Sequence, residues 1–295
     1  MFLLKRFLIS SHYFFLFSIL FQSYYGNVQA LEAQFGNKGK QKNAHKIELK
    51  NIILHKGKTI YSEYFEKTDG LMGFQADKRQ NSPIKYTPHI GFKNYDQPPQ
   101  GRNLGEIKVG ELLMEYDSAF MHYMPVLDKV STQAEIKNMF GRDVKFVLPA
   151  DQFRKVQIDD RVRTLYIPKA LDTISIEPSV RDSSYLLKVT NPFKVKWNAD
   201  KNNKNGVAVL LDWSGEINLP NNGRARQKKW HTIIDIFEDN GEAIIDERYL
   251  KELPEGALFM VWLIRGNIDI EEYQKGKTLK GASEIRSQYM FVSID

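Results

Sequence analysis

Alternation of apolar and polar side chains beyond residue 180 is the feature that most narrows what this chain can fold into. Phe193, Val195 and Trp197 alternate with Lys194, Lys196 and Asn198, and Val207, Val209, Leu211 and Trp213 share a face opposite Asp212. A period of two sends successive side chains to opposite sides of a strand, so each segment carries one apolar face and one mostly wet face, as two packed antiparallel sheets require. Tyr185 to Val189, Phe193 to Trp197, Val207 to Trp213, Thr232 to Phe237, Ala257 to Arg265 and Gln288 to Ile294 read as strands. Leu258 to Ile264 is apolar on both faces and is expected as a central strand covered on both sides, or as a strand shielded by the upstream segment. All four tryptophans, 197, 213, 230 and 262, lie beyond residue 195, which marks a compositional boundary near residue 180.

Six or seven strands in about 115 residues match the count of an immunoglobulin-like sandwich. The expected fold is therefore mostly β, with a β-sandwich over residues 181–295 preceded by a mainly β region over 51–180 that holds one short helix. That helix is expected from about Gln133 to Phe140. Thr132 to Glu135 has the form of a capping box, and Gly141 supplies a left-handed stop. Leu112 to Met124 fits both a strand pair and a helix. Val144, Phe146 and Leu148, then Val162, Leu165 and Ile167, read as strands, with a turn at Asp159-Asp160 between them. Further on, Asp246 is placed to cap a short helix running through Leu253, where Pro254 and Gly256 end it.

Residues 1–30 have the order of a secretory signal: Lys5 and Arg6, a largely apolar stretch from Phe7 to Phe21, and small residues ending at Ala30; the rival reading is an uncleaved anchor helix, which the Ser10-Ser11-His12 interruption opposes. Cleavage there removes two of the 42 basic residues and none of the 36 acidic ones, an excess of four on the exported chain. Residues 31–50 are polar and basic without apolar period, a flexible lead-in. After signal cleavage the longest apolar run is Ala257 to Ile264, too short to cross a bilayer as a helix, so no transmembrane segment is expected. An exported protein has little occasion to meet nucleic acid, and none is expected as a partner.

The absence of cysteine excludes disulfides, zinc ribbons, iron–sulfur clusters and thiol nucleophiles. Asp200 to Gly206 has the alternating oxygen side chains of a calcium loop, but its glycine falls one place late and no Glu closes it, so a plain turn is expected. His45, His55, His89, His122 and His231 show no ligand spacing. Glu115 and Asp117 would share one strand face as a carboxylate pair for glycoside cleavage, or form a solvated edge. Trp213, Trp230 and Tyr185 are candidates for an aromatic platform under a sugar ring, with core packing as the plainer alternative. Arg224 and Arg226, near Lys228 and Lys229, are candidates for meeting phosphate or an acidic polysaccharide, with a solvated loop as the alternative. No catalytic residue, metal or cofactor is inferred.

Tyr166-Ile167-Pro168-Lys169, Val195 to Asp200 with Asn203, Asn205-Gly206-Val207, Asp239 to Ile244, Leu250, Leu253 to Gly256 and Arg265-Gly266-Asn267 together resemble a β-sandwich module recurrent in exported proteins of Bacteroidota. The resemblance covers residues 164–295. It implies a cell-envelope or secreted β-sandwich and carries over no catalytic residue. The expected function is surface recognition of an envelope or extracellular protein, for which edge strands offer unpaired backbone groups. The alternative is a carbohydrate-binding module or carbohydrate-active hydrolase, with polysaccharide as the partner.

Overall fold

The computed structural model describes residues 69–79, 81–93, 101–126, 128–148, 162–172, 174–181, 187–219, 223–227, 231–251, 253–274 and 277–294. The expected signal, the expected lead-in, the expected turn at Asp159-Asp160, Tyr185 and Trp230 lie outside them. The chain is mostly β and packs in a sandwich-like manner, as the alternation predicts. No helix among the described residues is long and apolar enough to cross a membrane.

The larger sheet is built on three long strands. β10 (Val207–Leu219) pairs antiparallel with β14 (Ala257–Gln274), which turns back into β15 (Lys277–Ile294). β11 (Gly223–Arg226) and β12 (His231–Phe237) pair with successive parts of β10. On the far side, β1 (Gly70–Arg79) runs parallel to β15 and carries β2 (Lys85–Phe92) at its edge. Val292 to Ile294 also pair in parallel with Leu187 to Val189 of β9 (Leu187–Trp197). β9 is flanked by β8 (Ile174–Arg181) and β13 (Glu242–Ile245). It lays Phe193, Val195 and Trp197 in the same core as Phe259 of β14, with the Phe193 and Phe259 rings 6.4 Å apart.

A smaller sheet has the order β5 (His122–Pro125), β4 (Leu112–Asp117), β3 (Ile107–Val109), β6 (Arg142–Val147), β7 (Val162–Ile167). The Leu112 to Met124 stretch is thus a strand pair. Aromatic contacts join the two sheets: Phe74 to Phe146 at 6.0 Å between ring centres, and Phe92 to Tyr123 at 6.0 Å.

The boundary expected near residue 180 falls at the end of β8, which pairs with β9, and the 70–92 hairpin adds to the same sheet as the last strand. Two expectations are corrected. The second face of β10 is not wet: Ala208 and Leu210 are buried there with Ile264 of β14, and Asp212 is 1% exposed. Ile236 of β12 and Trp262 of β14 pack against these apolar side chains on that face and exclude water. β14 is a central strand, in line with its apolar run. Finally, the first helix, α1 (Lys129–Lys137), begins a turn earlier than the Thr132 signal. Asp128 caps it by accepting from the Val130 and Ser131 amides at 2.9 and 3.1 Å, and Thr132 sits inside the first turn, donating to the Asp128 carbonyl. An Asp carboxylate is as strong a cap as a Thr hydroxyl and outcompetes it here. From α1, Gln133 bonds both the amide and the carbonyl of Tyr86, closing part of the β2 edge. The second helix, α2 (Glu247–Leu250), is capped by Asp246 as expected.

The β1–β15 pairing depends on a glycine. A Cβ at Gly73 would collide with the Ala282 backbone carbonyl across the parallel ladder. Gly73→Ala is expected to force β1 away from β15 and lower stability by about 3 kcal/mol. Chemical denaturation of the purified variant checks this, and an unchanged midpoint would contradict the register.

Candidate functional site: a buried Asp–Arg knot

Arg265 continues the inward period of β14 after Val261 and Leu263, and it is fully buried. A guanidinium in an apolar core demands acceptors, because transfer from water without them costs several kcal/mol. It finds three. Its Nη2 donates to the Asp239 carboxylate at 2.7 Å and to the Asn198 carbonyl at 2.7 Å, and its Nη1 to the Lys169 carbonyl at 2.8 Å. Nε is left without an acceptor.

Asp239, in the turn between β12 and β13, is itself 2% exposed at its side chain. Its Oδ1 also accepts from the Trp197 indole N–H at 2.8 Å and the Asp200 amide at 3.2 Å, while Oδ2 accepts from the Asn203 side chain at 2.9 Å. Asp200 forms the second node. It accepts the Tyr166 hydroxyl at 2.8 Å, the Lys169 amide at 2.8 Å and the Asn202 amide at 3.2 Å. Burial, and then the hydrogen bonds to Asp200, push the Tyr166 hydroxyl well above the ordinary phenol range. Asn205 bonds the Gly266 carbonyl and Asn267, and Asn267 returns to the Tyr166 carbonyl at 3.1 Å.

β7, the end of β9, the β12–β13 turn and β14 therefore meet at one buried point, and β7 belongs to the other sheet. The knot ties the two sheets together. Its chemistry is that of an anchor. Both Asp200 oxygens already hold donors, and Asp200 to Asn203 closes as a turn through an amide-to-carbonyl bond at 3.0 Å, in line with the plain-turn expectation. Among the described residues no group of three or more His, Asp or Glu is placed to hold a metal ion.

Among the described residues, those singled out from sequence do not gather. Trp213 is 2% exposed, and its indole donates to the Glu216 carbonyl at 2.6 Å. Its ring is part of the core, the plainer of the two alternatives. Tyr185 and Trp230 lie outside the described residues. Arg224 and Arg226 sit on the edge strand β11, opposite Asn218 and Glu216; Arg226 is exposed, and the Arg224 side chain lies outside the description. Glu115 and Asp117 do share a strand, but their tasks differ: Glu115 is exposed opposite Met124, whereas Asp117 accepts from the Ala119 and Phe120 amides at 2.8 and 3.3 Å and shapes the hairpin turn. The knot itself had one local signal, a charged residue at an inward position of an apolar strand.

His89, on β2, forms a second polar cluster. The Gln75 amide donates to Asp77 at 2.7 Å, which turns its oxygen toward His89 Nε2 at 2.8 Å and places the ring proton there. Burial, aided by the nearby His122, Arg286 and Lys85, lowers its pKa from 6.5 to about 4. The imidazole is thus neutral in the folded protein. The unfolded chain binds a proton below pH 6.5 that the folded chain refuses until about pH 4, so this group erodes stability as pH falls through that window.

Two expectations follow from these geometries. Arg265→Met or Asp239→Leu alone strands a buried charge and is expected to cost about 3–5 kcal/mol, with the double variant milder than the sum by about 2 kcal/mol in a denaturation cycle; additive losses would mean the pair is not coupled. Titrating stability between pH 7 and 4, wild type should lose up to about 3 kcal/mol more than His89→Gln. Parallel curves would count against a buried neutral His89.

No protein-family model, no curated protein and no solved structure matches this chain.

Proposed function

We propose that this chain is an exported protein of a bacterial envelope or exterior that works by binding another protein through its surface. The signal-like first thirty residues support the export. One observation carries the binding. Of the ten large apolar side chains that stand exposed among the described residues, five come from a single stretch of eleven: Phe120, Met121, Met124, Val126 and Val130.

These belong to the β4–β5 turn, strand β5, the connection after it and the first turn of α1. Phe120 is 65% exposed and lies against the His122 ring at 5.8 Å, while His122 also touches the Met124 sulfur at 3.1 Å. Met121 is held at φ +58, a left-handed conformation that costs a side-chain-bearing residue about 1 kcal/mol or more. An aromatic and two flexible methionines on a turn stabilised by Asp117 make an adaptable apolar contact surface. Asp200 and Asp239 are engaged in holding the fold.

The chain recovered from the exported fraction is expected to begin at Leu31 and to retain a partner through purification. Phe120→Ser with Met124→Ser should abolish that retention and leave the melting temperature unchanged, since both side chains are exposed in the free protein. Retention by the double variant, or an N terminus still carrying residues 1–30, would refute the reading.

A further inference from the structure

We infer that Asn240 is a site of spontaneous deamidation and that the reaction releases the Arg265 knot. The chain has three Asn-Gly pairs, at 205–206, 222–223 and 240–241, and Asn222 lies outside the described residues. The other two differ in exposure and in how the side-chain amide is held. Asn205 has its side-chain nitrogen held by the Gly266 carbonyl at 3.0 Å and Asn267 Oδ1 at 3.2 Å, and Gly206 behind it is buried. Asn240 is exposed. Its side-chain oxygen accepts from the Glu242 amide at 3.2 Å, which folds the side-chain carbonyl back along the main chain toward Gly241 and polarises it.

The reaction needs only water. The Gly241 backbone nitrogen attacks Cγ of Asn240 and forms the new C–N bond of a five-membered imide. The bond from Cγ to the side-chain nitrogen breaks, and ammonia leaves with the proton that the glycine nitrogen gave up. Water then opens the ring at either carbonyl, leaving an aspartyl or isoaspartyl residue at position 240. In net terms an NH group is exchanged for an oxygen.

The knot itself demands the labile glycine. Gly241 has φ +103, a Cβ there would stand 3.2 Å from the Trp197 carbonyl, and the Gly241 carbonyl accepts the Trp197 amide at 2.8 Å. A side chain that would slow the attack is therefore excluded by the fold. The isoaspartyl product inserts a methylene into the main chain between Asp239 and Gly241, the two residues that grip Arg265 and Trp197. It also adds a negative charge beside the Asp239 carboxylate. Both changes pull against the Arg265 pair.

The test ages the intact exported chain at mildly alkaline pH and follows it by peptide mapping and thermal melting. Conversion at Asn240 is expected to outrun that at Asn205 by on the order of thirtyfold, the factor set by the two hydrogen bonds that Asn205 must break first. The melting temperature of the aged sample should fall in step with the modified fraction. Asn240→Gln, aged alongside, should gain no mass at this peptide and keep its initial melting temperature. Equal rates at the two asparagines, or no conversion at Asn240, would overturn the site. A fully converted sample that melts like fresh protein would overturn the release of the knot.

Discussion

A guanidinium buried in a β-core is stable only if something equally buried receives it, and in this chain Arg265 and Asp239 satisfy one another 2.7 Å apart. The rest of the architecture arranges itself around that requirement. Arg265 reaches across to backbone carbonyls at Asn198 and Lys169, so it fixes the loop leaving β9 and the loop leaving β7 at the same time. Asp239 receives the Trp197 indole, which is why a tryptophan with a polar edge suits the end of β9 better than a purely apolar ring. Asp200 then repeats the arrangement with neutral donors from Tyr166 and the Lys169 amide. Apolar burial supplies most of the driving force for folding, but it is non-directional. The knot supplies direction, choosing one way for the two sheets to meet.

The strands were legible because their signal is local. Val207, Val209, Leu211 and Trp213 do face one core, and Phe193, Val195 and Trp197 do lie across from Phe259. The knot was not legible, because its partners are far apart in sequence and each looks ordinary in place. Asp239-Asn240-Gly241 reads as a turn and is one, while the burial of its carboxylate depends on a residue 26 positions later. The pairing between the halves of the chain was not legible for a related reason. β1 joins β15 in parallel through pairs such as Gly73 with Ala282, and a parallel partner two hundred residues away leaves no turn signal between the strands. The second half of β14 was missed because Arg265-Gly266-Asn267 reads locally as a strand ending, yet the strand runs on to Gln274 with β15 beside it.

The residues that hold the molecule together are distinct from those that it exposes. Residues 166, 169, 197, 198, 200, 203, 205, 239, 265 and 267, on which the likeness to an exported module was noticed, converge on the knot, so their chemistry is accounted for by folding. In the proposed reading, recognition falls to parts of the surface that folding does not use. The hairpin tip around Phe120 is such a part, exposed, apolar and shaped by its own turn. Trp213, which composition alone made attractive for a sugar, belongs to the first group.

Native-state hydrogen exchange of the Trp197 indole proton, followed as denaturant is added, reports most directly on whether the knot holds the sheets together. That proton is donated to Asp239, and its release requires the knot to open. The account predicts exchange only through global unfolding, with a denaturant dependence equal to that of the most protected core amides of β10 and β14. Exchange at a lower free energy and with little denaturant dependence would show the knot opening while the sheets stay joined, and would contradict its place at the centre of the fold.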